Sequence, residues 1–185
     1  MKVNSTSIYA GGSYFDYVNP SVDDLSVVGL ALSLSKICRF NGHTLQHYSV
    51  AQHSYVCSLL VPNEYKMEAL LHDLHESVIG DMPSPLKKVI PEYSAYEEKI
   101  AGLFRSKFGL PVKISGVVAE IDELMLFWEK RDIVGRPNDD WGESPMIPSG
   151  KLWSLHPDRS FELFIKAYGL YSIGEFNGNL PQPWG

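Results

Sequence analysis

The chain has 185 residues, 44% of them hydrophobic and 21% charged, which is the make-up of one ordinary globular domain whose core needs no staples. Its net charge of −6, with no basic run, excludes the positive footprint that duplex nucleic acid demands, while leaving room for a small anion held by a few local cations. No stretch has the apolar length of a membrane span, and residues 1–12 lack a basic-then-apolar leader, so the expected setting is the cytoplasm, with no membrane partner.

Residues 14–18 read as a short extended piece, with no alternating run long enough for a sheet. Residues 23–37 carry Leu25, Val28, Leu32 and Ile37 at helical spacing. Cys38 and Cys57 are too few for a disulfide framework and read as small buried thiols in a reducing compartment. A second helix covers 49–60. A third covers 63–79, with Met67, Leu70, Leu71, Leu74 and Val78 on one face. A fourth carries Tyr96, Ile100, Leu103, Phe104 and Phe108, stopped by Gly109. Val117, Ile121, Leu124, Met125 and Trp128 mark a fifth. Residues 135–157 hold Pro137, Gly142, Pro145, Pro148 and Gly150 and form a long loop. A last helix spans 158–168, with Pro157 ahead and Gly169 behind. The expectation is one all-α domain over 1–185, a helical bundle with its core about 14–168 and a tail at 171–185 that only docking would order.

His72-Asp73 sits inside the third helix beside its apolar face, with Glu76 one turn on. Side chains three and four apart are neighbours on a helix, and buried carboxylates repel unless a cation or proton is shared. For a lone His-Asp pair, a solvated helix edge is the better explanation. Two further residues weigh against that reading: His53 on the second helix and Asp122 on the fifth, both among apolar neighbours. Four such groups on three apolar helices resemble a bundle-core metal site. Two imidazoles and two carboxylates suit a divalent transition ion such as Mn, Co, Fe or Zn. Such an ion lowers the pKa of bound water and clamps a phosphoryl oxygen. Glu76 stands ready to orient that water, to move a proton or to help hold a second ion.

The order His53…His72-Asp73…Asp122 resembles the signature of the HD-domain phosphohydrolases. The likeness extends through Ile37-Cys38-Arg39-Phe40-Asn41-Gly42-His43-Thr44, through Tyr48-Ser49-Val50-Ala51-Gln52-His53-Ser54, and through Ala69-Leu70-Leu71-His72-Asp73 to Gly80-Asp81-Met82-Pro83-Ser84-Pro85-Leu86-Lys87. It covers roughly residues 14–168. Within the family the chain is most similar to short phage-type enzymes that hydrolyse dATP to deoxyadenosine and triphosphate, and also to bacterial 5′-deoxynucleotidases. The resemblance implies metal on His53, His72, Asp73 and Asp122, catalysis by Glu76 and Asp73, phosphates near Arg39 and Lys87, and Phe40 beside base or sugar. It also implies a homo-oligomer.

His43 is equally a phosphate contact and a solvated histidine. A triphosphate would also draw on Lys88 or on additional Mg. The family commonly has small residues after His-Asp; Leu74 and His75 depart from that, and His75 is expected to face away or to brace the site from behind. Trp128, Trp141 and Trp153 read as core or loop anchors, and Glu129, Arg131 and Asp132 as ion-pairing helix residues. Three functions follow: dATP triphosphohydrolase first, 5′-deoxynucleotidase second, and, from another class, a nucleotide-binding regulatory module without turnover.

Overall fold

The computed structural model describes residues 3–185. Eight α-helices, three short 3₁₀ or π-helical segments and one two-stranded sheet make up the regular structure of these residues. The sheet departs from the all-α expectation. Strands β1 (Ser7–Ala10) and β2 (Ser13–Asp16) pair antiparallel, with Ser7 opposite Asp16 and Ala10 opposite Ser13. Gly11 and Gly12 join them at φ of 58° and 92°, the pair of positive angles that a tight two-residue hairpin needs. In β2 only Phe15 is buried, so the strands carry almost no alternating pattern to read. Helix α1 (Val27–Leu34) abuts the hairpin so closely that a Cβ on Gly29 would lie 2.7 Å from the Gly11 Cα.

Helix α2 (Val50–Leu60) is the axis of the molecule. Ser49 caps it by accepting from the Gln52 N–H. Everything from Val50 to Ser58 is buried, and the helix packs against α3, α7 and α8. A helix buried all round shows little amphipathic stripe, and its polar members must find partners inside. Tyr55, Trp128, Leu70, Leu74, Ile100 and Phe164 fill the core around it. Each such side chain contributes roughly 1.5–3 kcal/mol on burial.

The third predicted helix is divided. A 3₁₀ turn (Asn63–Tyr65) leads into α3 (Lys66–Leu71), and α4 (Glu76–Ile79) follows four residues later. Between them the backbone bonds contract to three-residue steps: Leu74 donates to Leu71, Glu76 to Asp73, Ser77 to Leu74 and Val78 to His75. The tightening falls on the His-Asp pair itself. Short helix α5 (Ser84–Val89) follows, with Pro85 in its first turn. Helix α6 (Pro91–Lys107) ends ahead of Gly109, whose φ is 64°.

Helix α7 (Gly116–Glu129) runs on into a π-helical turn, Lys130–Val134. Helix α8 (Pro157–Ser172) takes Pro157 as its first residue and passes straight through Gly169, a glycine too weak to stop it; Gly174, at φ 75°, ends the segment. The long loop is present, and the tail is ordered by docking on it. Leu152 bridges Trp184, Lys151 donates to the Gly185 carbonyl, and Trp184 packs edge-on against Trp128 at 5.4 Å. No helix among the described residues is long and apolar enough to cross a membrane.

Candidate metal centre and cleft

Helices α2 and α7 and the tight turn between α3 and α4 bring His53, His72, Asp73 and Asp122 to one point. His53 Nε2 lies 3.1 Å from Asp122 Oδ1 and 3.7 Å from Asp73 Oδ2. His72 Nε2 lies 3.1 Å from Asp73 Oδ2 and 3.9 Å from Asp122 Oδ1. Donors sharing one ion at bond lengths of about 2.1 Å sit about 3.0–3.4 Å apart, so this spacing closes on an ion with small side-chain shifts.

The far side of each imidazole is braced. His53 Nδ1 donates to Glu129 Oε1 at 2.7 Å, and His72 Nδ1 donates to the Ala69 carbonyl at 2.8 Å. Such outer contacts turn each Nε2 inward with its lone pair free, the usual support of a metal-binding histidine. His72 Nε2 is buried and has no hydrogen-bond partner, an orphan that a cation would satisfy.

The electrostatics agree with that fit. Burial opposes charge on His53 and His72; for His53, Arg39 adds to the opposition, yet Cys57, Glu129 and Asp122 hold its pKa well up, and Asp73 and Asp122 raise that of His72. Burial also opposes charge on Asp73, but His72 and His53 outweigh it and hold the carboxyl well below its ordinary range. A cluster that draws protons onto both imidazoles while keeping Asp73 ionised calls for positive charge at its centre.

Two other groupings have the donors to hold an ion: His53, Cys57 and His72, and Asp73, His75 and Glu76. Cys57 is thus more than a small buried hydrophobe, since its Sγ is 3.6 Å from His53 Nε2. Burial pushes its thiol up, which favours the neutral form.

The centre opens into a cleft of about 680 Å³. Glu76 lines it with a buried carboxyl whose Oε2 has no partner. Burial, then the charges of Asp73 and Asp81, push the Glu76 carboxyl well above the usual carboxylate range. In 3₁₀ geometry side chains three apart eclipse, so Asp73 and Glu76 share one side of the chain more closely than an α-helix would allow.

Arg39 lies in the cleft floor, its Nε 3.0 Å from Glu129 Oε2 and its Nη1 3.8 Å from Asp73 and 4.0 Å from Asp81. Phe40 follows at φ 55° and ψ 31°, a left-handed conformation that costs a bulky residue about 1–3 kcal/mol and that holds its ring at the rim. His43 and Lys88 also line the cleft. Lys87 faces it while paired to Glu97 Oε1 at 2.7 Å. His75 is not among the four converging donors; its Nε2 stands 3.8 Å from the same Glu97 oxygen, which makes it part of the support behind Lys87.

Three contributors escape the sequence reading. Glu129 is fully buried and joins His53 to Arg39, where spacing alone makes it one more ion-pairing helix residue. The signal available was a carboxylate closing the apolar run Leu124-Met125-Leu126-Phe127-Trp128. Asp81 lines the cleft within reach of Arg39, and only its place after Gly80 in the quoted motif hints at it. Trp141, expected to be an anchor, stands at the cleft mouth with its ring 6.2 Å from that of Phe40. Trp128 is a core residue as expected.

No protein-family model matches the chain. It is similar to the uncharacterized protein YfdR of Escherichia coli K12, 39% identical over 160 residues that cover 85% of this chain and 90% of that protein. It is also similar to the uncharacterized protein RCAP_rcc00048 of Rhodobacter capsulatus, 32% identical over 110 residues, 54% of this chain and 56% of that protein. The extent of the first likeness means that the chain belongs to the family of YfdR.

Proposed function

We propose that this member of the YfdR family is a metal-dependent phosphohydrolase of deoxynucleotides, of the HD-domain type. The observation that carries the reading is the convergence of His53, His72, Asp73 and Asp122, with a buried unpartnered imidazole nitrogen, beside the unpartnered carboxyl of Glu76. A divalent transition ion held by those four would supply Lewis acidity toward a phosphoryl oxygen and activation of the attacking water. A purely structural ion needs no spare carboxylate next to it, so Glu76 weighs against a module that only binds.

The chain's own groups cover the remaining requirements. Glu76, facing the cleft with one oxygen free, moves the proton that the sugar oxygen needs in order to leave. Arg39 presents a guanidinium beside the carboxylates, able to grip a phosphate oxygen while Glu129 fixes its Nε end. Lys87, steadied by Glu97, flanks the other side.

Charge separates the two substrate readings. The floor carries Asp73, Glu76, Asp81 and Asp122, and both Arg39 and Lys87 already face carboxylates. A triphosphate would bring about four further negative charges, against which Lys88 is the one lining cation without an ion pair among the described residues. This balance favours a 2′-deoxynucleoside 5′-monophosphate. The dATP triphosphohydrolase reading stands second, supported by the pair Lys87 and Lys88 on one short helix at the rim.

The deciding experiment incubates the purified protein with Mn or Co and, separately, dAMP and dATP, and separates the products chromatographically. Deoxyadenosine and phosphate from dAMP are expected. Deoxyadenosine and intact triphosphate from dATP alone would reverse the order, and no product from a panel of nucleotides would leave the binding module.

A further inference from the structure

The cleft has two chemically distinct zones. Its floor is ionic, with Asp73, Glu76, Asp81, Asp122 and Arg39; its outer wall carries the apolar Phe40, Met82, Pro83, Leu126 and Trp141, beside the rim cations Lys87 and Lys88. A substrate that was only a phosphate ester of a sugar would leave the apolar mouth unused. Trp141 reaches that mouth from the long loop after α7, far in sequence from every other lining residue except Asp122 and Leu126 on that helix, and it keeps 38% of its surface exposed.

Its place is built. Lys130, in the π-helical turn and itself buried, holds its Nζ 5.4 Å from the centroid of the Trp141 ring and donates to the Asp139 carbonyl two residues earlier. One buried cation therefore ties the loop at both points. Across the mouth, Phe40 is held at positive φ, and the two rings stand 6.2 Å apart with their planes inclined at 45°. The rings meet tilted, with Arg39 set against the Phe40 ring at 5.6 Å and Lys130 against that of Trp141, while Trp141 keeps part of its surface open to solvent at the cleft.

We propose that Trp141 and Phe40 are the two jaws of a nucleobase-binding subsite, with Trp141 a selectivity residue that makes the chain a nucleotide hydrolase instead of a general phosphatase. This rests on the phosphohydrolase reading above. A flat aromatic heterocycle packs against the ring faces of such a pair, while its phosphate reaches the floor. Base–aromatic stacking tolerates any base, so the subsite selects for the presence of a base more than for its identity.

The test compares two esters with the same sugar and phosphate, dAMP and 2-deoxyribose 5-phosphate, in the Mn-loaded protein. In Trp141→Ala the ratio of kcat/KM for dAMP over the base-free ester is expected to fall about tenfold or more, mainly through KM, and Trp141→Phe should restore most of it. An equal loss on both esters, or no loss on dAMP, overturns the subsite and leaves Trp141 a loop anchor. A second readout is independent of turnover: deoxyadenosine alone should quench the intrinsic fluorescence of the wild-type protein, and the quench should vanish in Trp141→Phe. Quenching that depends on Trp141 without hydrolysis of either ester would sink the phosphohydrolase reading and keep the subsite. Hydrolysis with no Trp141-dependent quench and no change in the ratio would do the reverse.

Discussion

The floor and the mouth of the cleft are built by opposite means. On the floor, His53 and Glu129 are wholly buried, they stand on helices packed into the core, and the rear nitrogen of each of the two converging imidazoles, His53 and His72, is engaged by a carboxylate or a backbone carbonyl. At the mouth, Phe40 sits on a left-handed turn and Trp141 on an irregular loop, both partly open to solvent. On the functions proposed above, the rigid helices carry the chemistry, which tolerates little displacement, and the irregular segments carry recognition of a flat ring, which tolerates more. Substitutions should therefore cause larger losses on the floor, and of a different kind.

The largest effect is expected from Asp73→Asn and His72→Ala. Each removes a converging donor, so turnover and bound metal should be lost together, as read by activity beside elemental analysis. Glu76→Gln comes next. Its metal content should match the wild type while kcat falls about 10²–10⁴-fold. Full activity in that variant would remove Glu76 from the mechanism. Glu129→Gln tests the bracing directly: metal affinity should weaken about 10–100-fold, and the Arg39 guanidinium loses its nearest counter-charge. If affinity holds, the floor does not depend on its outer contacts and the contrast with the mouth collapses.

Trp184→Ala works from the other side. It removes the ring packed on Trp128 and loosens the tail that pairs with residues 151–153, at a stability cost of about 2 kcal/mol in thermal melts, with metal affinity unchanged. The smallest effect belongs to Lys88→Gln at the exposed rim, about twofold or less on dAMP. A much larger loss on dATP than on dAMP would show that the mouth carries a polyphosphate tail after all.

Residue types at helical spacing made the bundle and the four converging donors readable from the chain, because buried charges among apolar neighbours are costly and need a reason. The hairpin escaped because four-residue strands with one buried ring carry no period. The break after Leu71 escaped because His72 and His75 keep right-handed helical angles, so that only the bonding step changes. Glu129 and Trp141 escaped for a shared reason. Their roles depend on what stands opposite them in space, His53 and Arg39 in one case and Phe40 in the other, and one-dimensional spacing holds no record of that. The docked tail is similar, since apart from the Trp184 ring its anchors are backbone groups that any residue could supply.

The contracted turn between α3 and α4 has a consequence for anyone grafting this centre onto a designed scaffold. On an ideal α-helix three residues advance about 300° around the axis, and in a 3₁₀ turn about 360°. Copying His72, Asp73 and Glu76 onto a straight helix would swing the carboxyl of Glu76 about 60° away from that of Asp73. On the mechanism proposed above, the graft would still offer its donors to an ion but lose its proton carrier. What must be transplanted is the pitch of those four residues, together with the packing of Leu74 that holds it.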